Sequence, residues 1–169
     1  MPNYPGDTFP QAQSDSPGAI CPHIAHIRKV NPRDLGTDTG GTNDTLTRLI
    51  LRRGIPFGSP MLDPIRPQPA ELEAERGLMF LCYQTSIANQ FAFLMNHWTN
   101  SLNQPETGGP DPLIGQREGP SGNRVRQIEL LGTDGSTENI NLPIDWVIPT
   151  GGDYFFAPAV SVLTTVLAQ

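Results

Sequence analysis

At 169 residues, the chain has room for one compact domain and not for two ordinary ones. Its net charge of −6 argues against a nucleic-acid surface, and no apolar run approaches the roughly 20 residues of a membrane span. Hydrophobic residues at 37%, with 17 Gly and 18 Pro, predict a few regular elements joined by much loop. Cys21 and Cys82 make neither a disulfide framework nor a metal-binding pattern, and Cys82, inside an apolar run, is expected to be a buried thiol.

In chain order, residues 1–20 hold prolines and small polar residues and read as a linker or arm. Residues 21–169 form the expected domain. After a loop at 35–44, TLTRLILRR (Thr45 to Arg53) predicts a strand ended by Gly54 and Pro56. GLMFLCYQ (Gly77 to Gln84) is a continuous apolar run of the kind a buried strand carries. Ile87, Phe91, Leu94, Met95 and Trp98 recur at helical spacing, with Ser86 as the expected N-cap. Val125 to Leu131 and Asp145 to Ile148 predict strands with a GTDG turn between them. DYFFA (Asp153 to Ala157) looks strand-like, and Ala159 to Ala168 looks helical. This order implies an α+β sheet with helices on one face.

Isolated motifs point nowhere. The histidines are His23, His26 and His97, and neither His-Glu-x-x-His nor paired Cys-x-x-Cys occurs. Gly40-Gly41 lacks the lysine of a phosphate loop, and Gly-x-Ser-x-Gly is missing.

Five blocks taken together are informative: CPHIAHIRKVNPRD (Cys21 to Asp34), ILRRGIPFG (Ile50 to Gly58), RGLMFLCYQ (Arg76 to Gln84), DPLIGQ (Asp111 to Gln116) and PTGGDYFFAP (Pro149 to Pro158). In this order they resemble the C-terminal half of dye-decolorizing peroxidases. The resemblance implies one ferredoxin-like half of a two-half fold, haem b as cofactor, and peroxide reduction coupled to oxidation of dyes or phenolic compounds. By the same resemblance, His26 matches the proximal iron ligand, and Asp111 matches the carboxylate that holds its second ring nitrogen. Asp111 reads equally as a turn residue ahead of Pro112. Arg52 matches the distal arginine, whose cation supports peroxide O–O cleavage. Arg53 would then face the other way, because neighbours on a strand alternate.

Leu78 and Phe80 would line the distal pocket, or serve as plain core. Arg28, Lys29 and Arg33 would suit haem propionates, or a solvated loop. Trp98 stands where family members carry an oxidisable residue, although its helical spacing also fits an apolar anchor.

The family's other signature, Gly-x-x-Asp-Gly, supplies a proton-shuttling aspartate and does not occur here; Gly132-Thr133-Asp134-Gly135 reads as a hairpin turn. The implied partners are therefore haem, hydrogen peroxide, an aromatic reducing substrate and a complementary N-terminal half, with no nucleic acid and no membrane. The alternative is a non-catalytic haem-binding or structural half-domain. A cytoplasmic setting is expected from these residues, and a secreted one if an N-terminal half carries a signal.

Overall fold

The computed structural model of the chain is described for residues 15, 17–32, 36–63, 65–124, 127–132, 134–166 and 168. Most of the expected arm, together with Arg33, lies outside them. The elements in order are α1 (His26–Lys29), α2 (Thr42–Leu46), β1 (Leu51–Gly58), α3 (Pro69–Glu73), β2 (Arg76–Tyr83), α4 (Phe91–Phe93), β3 (Gln127–Leu131), β4 (Thr137–Asn141) and α5 (Val160–Thr165). α4 runs directly into a π-helical turn, Leu94–Thr99. The fold is α+β, with two antiparallel hairpins, β1–β2 and β3–β4. None of the described helices is long and apolar enough to cross a membrane.

The segment expected as one strand from Thr45 divides. Asp44 accepts the Gly41 backbone N–H at 3.0 Å, which starts α2 and carries helix through Leu46. The strand begins only at Leu51 and runs through Gly54 and Pro56 instead of stopping there. An antiparallel pairing tolerates both: a Cβ on Gly54 would lie 2.9 Å from a Leu78 methyl, and a proline is accommodated on an edge strand.

β2 is the expected strand, but it is not buried among the described residues, since Leu78, Met79, Phe80, Leu81 and Tyr83 are all exposed. Cys82 is half-buried, and that burial pushes its thiol pKa up.

The expected helix after Ser86 is shorter than its apolar spacing suggested. Ser86 Oγ accepts the Asn89 N–H at 3.2 Å and so closes a turn, and the helix itself begins at Phe91. The π turn then widens the spiral, a local rearrangement that recurs at functional sites. Leu94 and Trp98 on it are buried, and with Ile24 they form the described apolar core. Trp98 is fully buried and meets Phe93 edge-on at 5.0 Å.

Of the later elements, β3 is found where expected, with Val125 and Arg126 outside the described residues. Its partner is Thr137–Asn141, not Asp145 to Ile148, because the turn closes tightly: Gly132 N–H donates to Ser136 O at 2.8 Å. DYFFA is irregular, with Phe155 and Phe156 exposed, and Tyr154 touches Phe91 edge-on at 6.3 Å. α5 covers the middle of the helix expected at the C-terminus.

Candidate functional site

α1 is a single turn that starts at His26, and it packs on the π turn. Its first residue meets a distant one: His26 Nδ1 lies 2.7 Å from Asp111 Oδ2. Asp111 is 3% exposed. Its Oδ1 accepts the backbone N–H groups of Leu113 and Ile114 at 2.9 and 3.0 Å, as an aspartate ahead of proline does in a turn. The two sequence readings of Asp111 are thus both realised, one by each carboxylate oxygen.

With an acceptor at Nδ1, that nitrogen carries the proton and Nε2 presents its lone pair. Nε2 makes no hydrogen bond among the described residues. Nor do three or more His, Cys, Asp or Glu side chains converge among the described residues as a metal cluster would require. One held imidazole with a free Nε2 suits a metal that brings its other ligands with it, as iron in a porphyrin does. On this observation the residues fit a haem.

Behind α1 lies a knot of charge. Asp15 accepts backbone N–H groups from Ala19, Ile20 and Cys21 at 2.7–3.1 Å, so the few residues before α1 turn back on Asp15. Burial would raise the Asp15 pKa, but these three donors and the Arg28 cation outweigh it and hold the carboxyl below its usual range. Arg28 is buried and donates to Asp15 O at 2.7 Å and to Cys21 O at 3.1 Å; Glu106 lies 3.7 Å away. His23 Nε2 sits 2.7 Å from Glu106 Oε2. Lys29 is 1% exposed and donates to Gln104 O at 2.8 Å. Burial pulls its pKa down to about 8, against the upward pull of the Asp111 and Glu106 charges. Arg28 and Lys29 are therefore both buried and bonded to the chain's own carbonyls and carboxylates.

Arg52, Leu78 and Phe80 lie on the β1–β2 hairpin. Its register pairs Arg52 with Cys82, Gly54 with Phe80 and Pro56 with Leu78. Directly opposed residues share a face, and residues two apart share it too, so Arg52, Leu78 and Phe80 lie on one side. Arg53, opposite Leu81, lies on the other. The Arg52 side chain makes no hydrogen bond or ion pair among the described residues, and Phe80 leans on Phe91 with centroids 5.9 Å apart. A cleft of about 290 Å3 lined by Thr47, Arg48, Thr85, Ser86, Asn89 and Gln90 is separate from all of these residues.

Sequence reasoning missed one constellation. Asp38, in the loop before α2, accepts the Trp98 indole N–H at 3.0 Å through Oδ1, and its Oδ2 lies 2.5 Å from His97 Nε2. Asp38 sits among Gly and Thr with no motif around it. Only the adjacency of His97 and Trp98 hinted at a shared acceptor.

A family model described as Dyp-type peroxidase, C-terminal, matches residues 11–107, more than half of the chain. The chain belongs to the Dyp-type peroxidase family. Among its relatives, dye-decolorizing peroxidase msp1 of Mycetinis scorodonius is 40% identical over 157 residues, which is 88% of this chain and 30% of that protein. AauDyP1 of Auricularia auricula-judae is 35% identical over 85% of this chain and 28% of its own length. A solved dye-decolorizing peroxidase in complex with 2,6-dimethoxyphenol superposes with a TM-score of 0.67 at 37% identity, covering 88% of this chain and 32% of that one. An ancestral D-type dye-decolorizing peroxidase gives 0.68 at 34% identity, covering 93% and 34%. The chain thus spans about a third of the length of the relatives it matches. The family is one of haem peroxidases, and the α+β fold of this chain is the fold of their C-terminal part.

Proposed function

We propose that this chain supplies the haem-ligating part of a dye-decolorizing peroxidase, which reduces hydrogen peroxide and oxidises dyes or phenolic compounds. Residues 21–169 are the C-terminal haem-binding domain in this reading, completed by an N-terminal half on the same or another polypeptide. The observation that carries it is the 2.7 Å contact between His26 Nδ1 and a buried Asp111, which leaves Nε2 as a free donor. Haem b, when bound there, supplies the iron at which peroxide takes up two electrons and two protons to give two waters.

The chain's own residues hold and orient. Asp111 holds the Nδ1 proton, fixes the ring's tautomer and makes Nε2 a stronger electron donor. Arg52 places a cation, unpaired among the described residues, on the face it shares with Leu78 and Phe80, suited to the negative charge that develops on peroxide oxygen. Leu78 and Phe80, exposed in this chain, would form the apolar wall of that face once an N-terminal half covers it. The buried Arg28 contributes through the fold behind α1, by fastening Asp15 and Cys21.

Haem titration of the purified chain, followed by absorption spectroscopy, tests the reading. A single-histidine spectrum that His26→Ala abolishes is expected; an unchanged spectrum in that variant overturns the assignment.

A second reading, haem binding without turnover, is favoured by one observation. Asp134, in the turn that joins β3 to β4, is bonded to Ser136 at 2.6 Å and belongs to the hairpin, so it does not stand in for a proton-shuttling aspartate. Dye oxidation by the haem-loaded chain, with and without a Gly-x-x-Asp-Gly-bearing N-terminal half, separates the two.

A further inference from the structure

Asp111 can serve His26 only if the segment that carries it is brought to α1 and kept there. That segment, Gln104 to Gln116, has no regular secondary structure, so its placement depends on individual contacts. At its far end, Asp111 N–H donates to Thr99 O at 2.8 Å, and Gln116 N–H donates to Asn100 Oδ1. These tie it to the π turn, not to α1. In its middle, Gly108 lies against Ile24: a Cβ there would sit 2.8 Å from the Ile24 Cγ2 methyl, at a backbone φ of +135°. Near the start, Glu106 faces His23 and Arg28.

A direct hydrogen bond joins this segment's backbone to the ligand's own helix turn. Lys29 follows His26 by three positions, which puts both side chains on one side of the turn. The Lys29 ammonium donates to Gln104 O at 2.8 Å, while His26 meets Asp111 at 2.7 Å. α1 therefore meets the segment through His26 at Asp111 and, seven residues earlier, through Lys29 at the Gln104 backbone, with the longer Arg28–Glu106 ion pair between them. A lysine at 1% exposure is an expensive way to fill space, since burial disfavours its charge; an apolar side chain of the same length would pack without that cost.

We propose that Lys29 is a positioning residue for the candidate proximal pair: its bond to Gln104 O sets the segment that delivers Asp111 to His26. The haem part of this inference rests on the reading of His26 as the iron ligand; the positioning part does not.

The test therefore has two arms. In the metal-free full chain, NMR would follow the exchange-protected His26 Nδ1 proton. Lys29→Met removes the donor and keeps the side-chain length, and the protected proton is expected to be lost. Lys29→Ala loses it as well, and added propylammonium, which replaces the deleted atoms, restores it. In the haem-loaded chain, the same variants are read by the iron midpoint potential. Lys29→Met shifts it to a more positive value, because a less firmly held Nδ1 proton makes the ligand a poorer donor. Propylammonium returns Lys29→Ala toward the wild-type value.

A proton that persists in Lys29→Met overturns the proposal. So does a wild-type chain without that protected proton, or loss in Lys29→Ala that propylammonium does not repair. If Lys29→Met does not fold, the Lys29→Ala arm with and without propylammonium decides alone. A chain that takes up haem equally well as His26→Ala refutes the ligand reading instead, and leaves the metal-free arm to judge Lys29.

Discussion

The neighbourhood of α1 and the β1–β2 hairpin are built from the same chain on opposite principles. Around α1, side chains are spent on one another: Asp15, Arg28, Lys29 and Asp111 are held by carbonyls, backbone N–H groups and opposite charges. On the hairpin, eight paired residues on each strand complete the backbone ladder, yet Leu51, Ile55, Phe57, Leu78, Phe80 and Tyr83 stay exposed. The first region is finished within these residues. The second has a finished backbone and an apolar surface left open among the described residues, a patch of the kind that marks an interface. The polar side chains near α1 are fixed locally by one another, and the apolar side chains of the hairpin are not.

The sharpest way to break this contrast is to remove the anchor of the finished region. Trp98→Ala deletes a fully buried indole that packs on Phe93 and donates to Asp38. A loss of about 3–5 kcal/mol in urea unfolding is expected. A loss below about 1 kcal/mol would mean that this region is no better packed than the hairpin.

Asp111→Ala should cost less, about 2–3 kcal/mol, by leaving the N–H groups of Leu113 and Ile114 and the His26 ring without their acceptor. Asp111→Asn keeps an Oδ1 for the turn, so it should recover most of that stability. With haem bound it should still differ from wild type in midpoint potential, since a neutral amide is a weaker acceptor for Nδ1–H. Equal stability and equal potential in Asn and wild type would separate the carboxylate from the ligand.

Lys29 supplies the pH test. Its folded pKa, near 8, lies below the ordinary lysine value of 10.5, so between those pH values the unfolded chain binds more protons than the folded one. Stability therefore rises with pH across that window and is indifferent to this group below pH 8. The slope is at most one proton's worth, about 1.4 kcal/mol per pH unit. Cys82 opposes it, since its raised pKa makes the folded thiol keep its proton longer. The useful quantity is the difference between wild type and Lys29→Met, in which Cys82 cancels; parallel stability curves from pH 8 to 10.5 would show that Lys29 carries no such penalty.

What could be read from the sequence follows the same division. The pairing of His26 with Asp111, 85 residues apart, was reachable only through family blocks, and the two side chains meet at 2.7 Å. The β2 strand was legible from GLMFLCYQ, but its burial was not, because an apolar run records a strand's need for cover and not whether the described residues supply it. Gly54 and Pro56 misled for a related reason. They end strands in isolation, whereas here the facing Leu78 and Phe80 need a residue without a side chain and an edge that can do without a donor. Helical spacing at Ile87 to Trp98 found the buried Leu94 and Trp98 but not the exposed Ile87, which precedes the helix, and it gave the wrong spiral, since a π turn keeps Leu94 and Trp98 inward while changing the residues per turn. Asp38 had no local signal at all. Its role comes from where the loop lands.

The smallest effect is expected on the hairpin. Leu78 is 60% exposed and lies on the face it shares with Arg52 and Phe80. Leu78→Thr exchanges it for a β-branched residue that suits a strand, and removes little burial in this chain, so unfolding of the chain alone should change by no more than about 0.5 kcal/mol. The same substitution should weaken association with an N-terminal half, because there the leucine would pass from water into an apolar interface, where full burial contributes roughly 1.5–3 kcal/mol. Urea unfolding of the chain alone and a binding titration with that half, run on one variant, place the two quantities side by side. A large loss in the first would mean that the hairpin is already covered within this chain. A null result in both would mean that this face meets neither the core nor a partner, and Leu78 would lose its place in the proposed pocket.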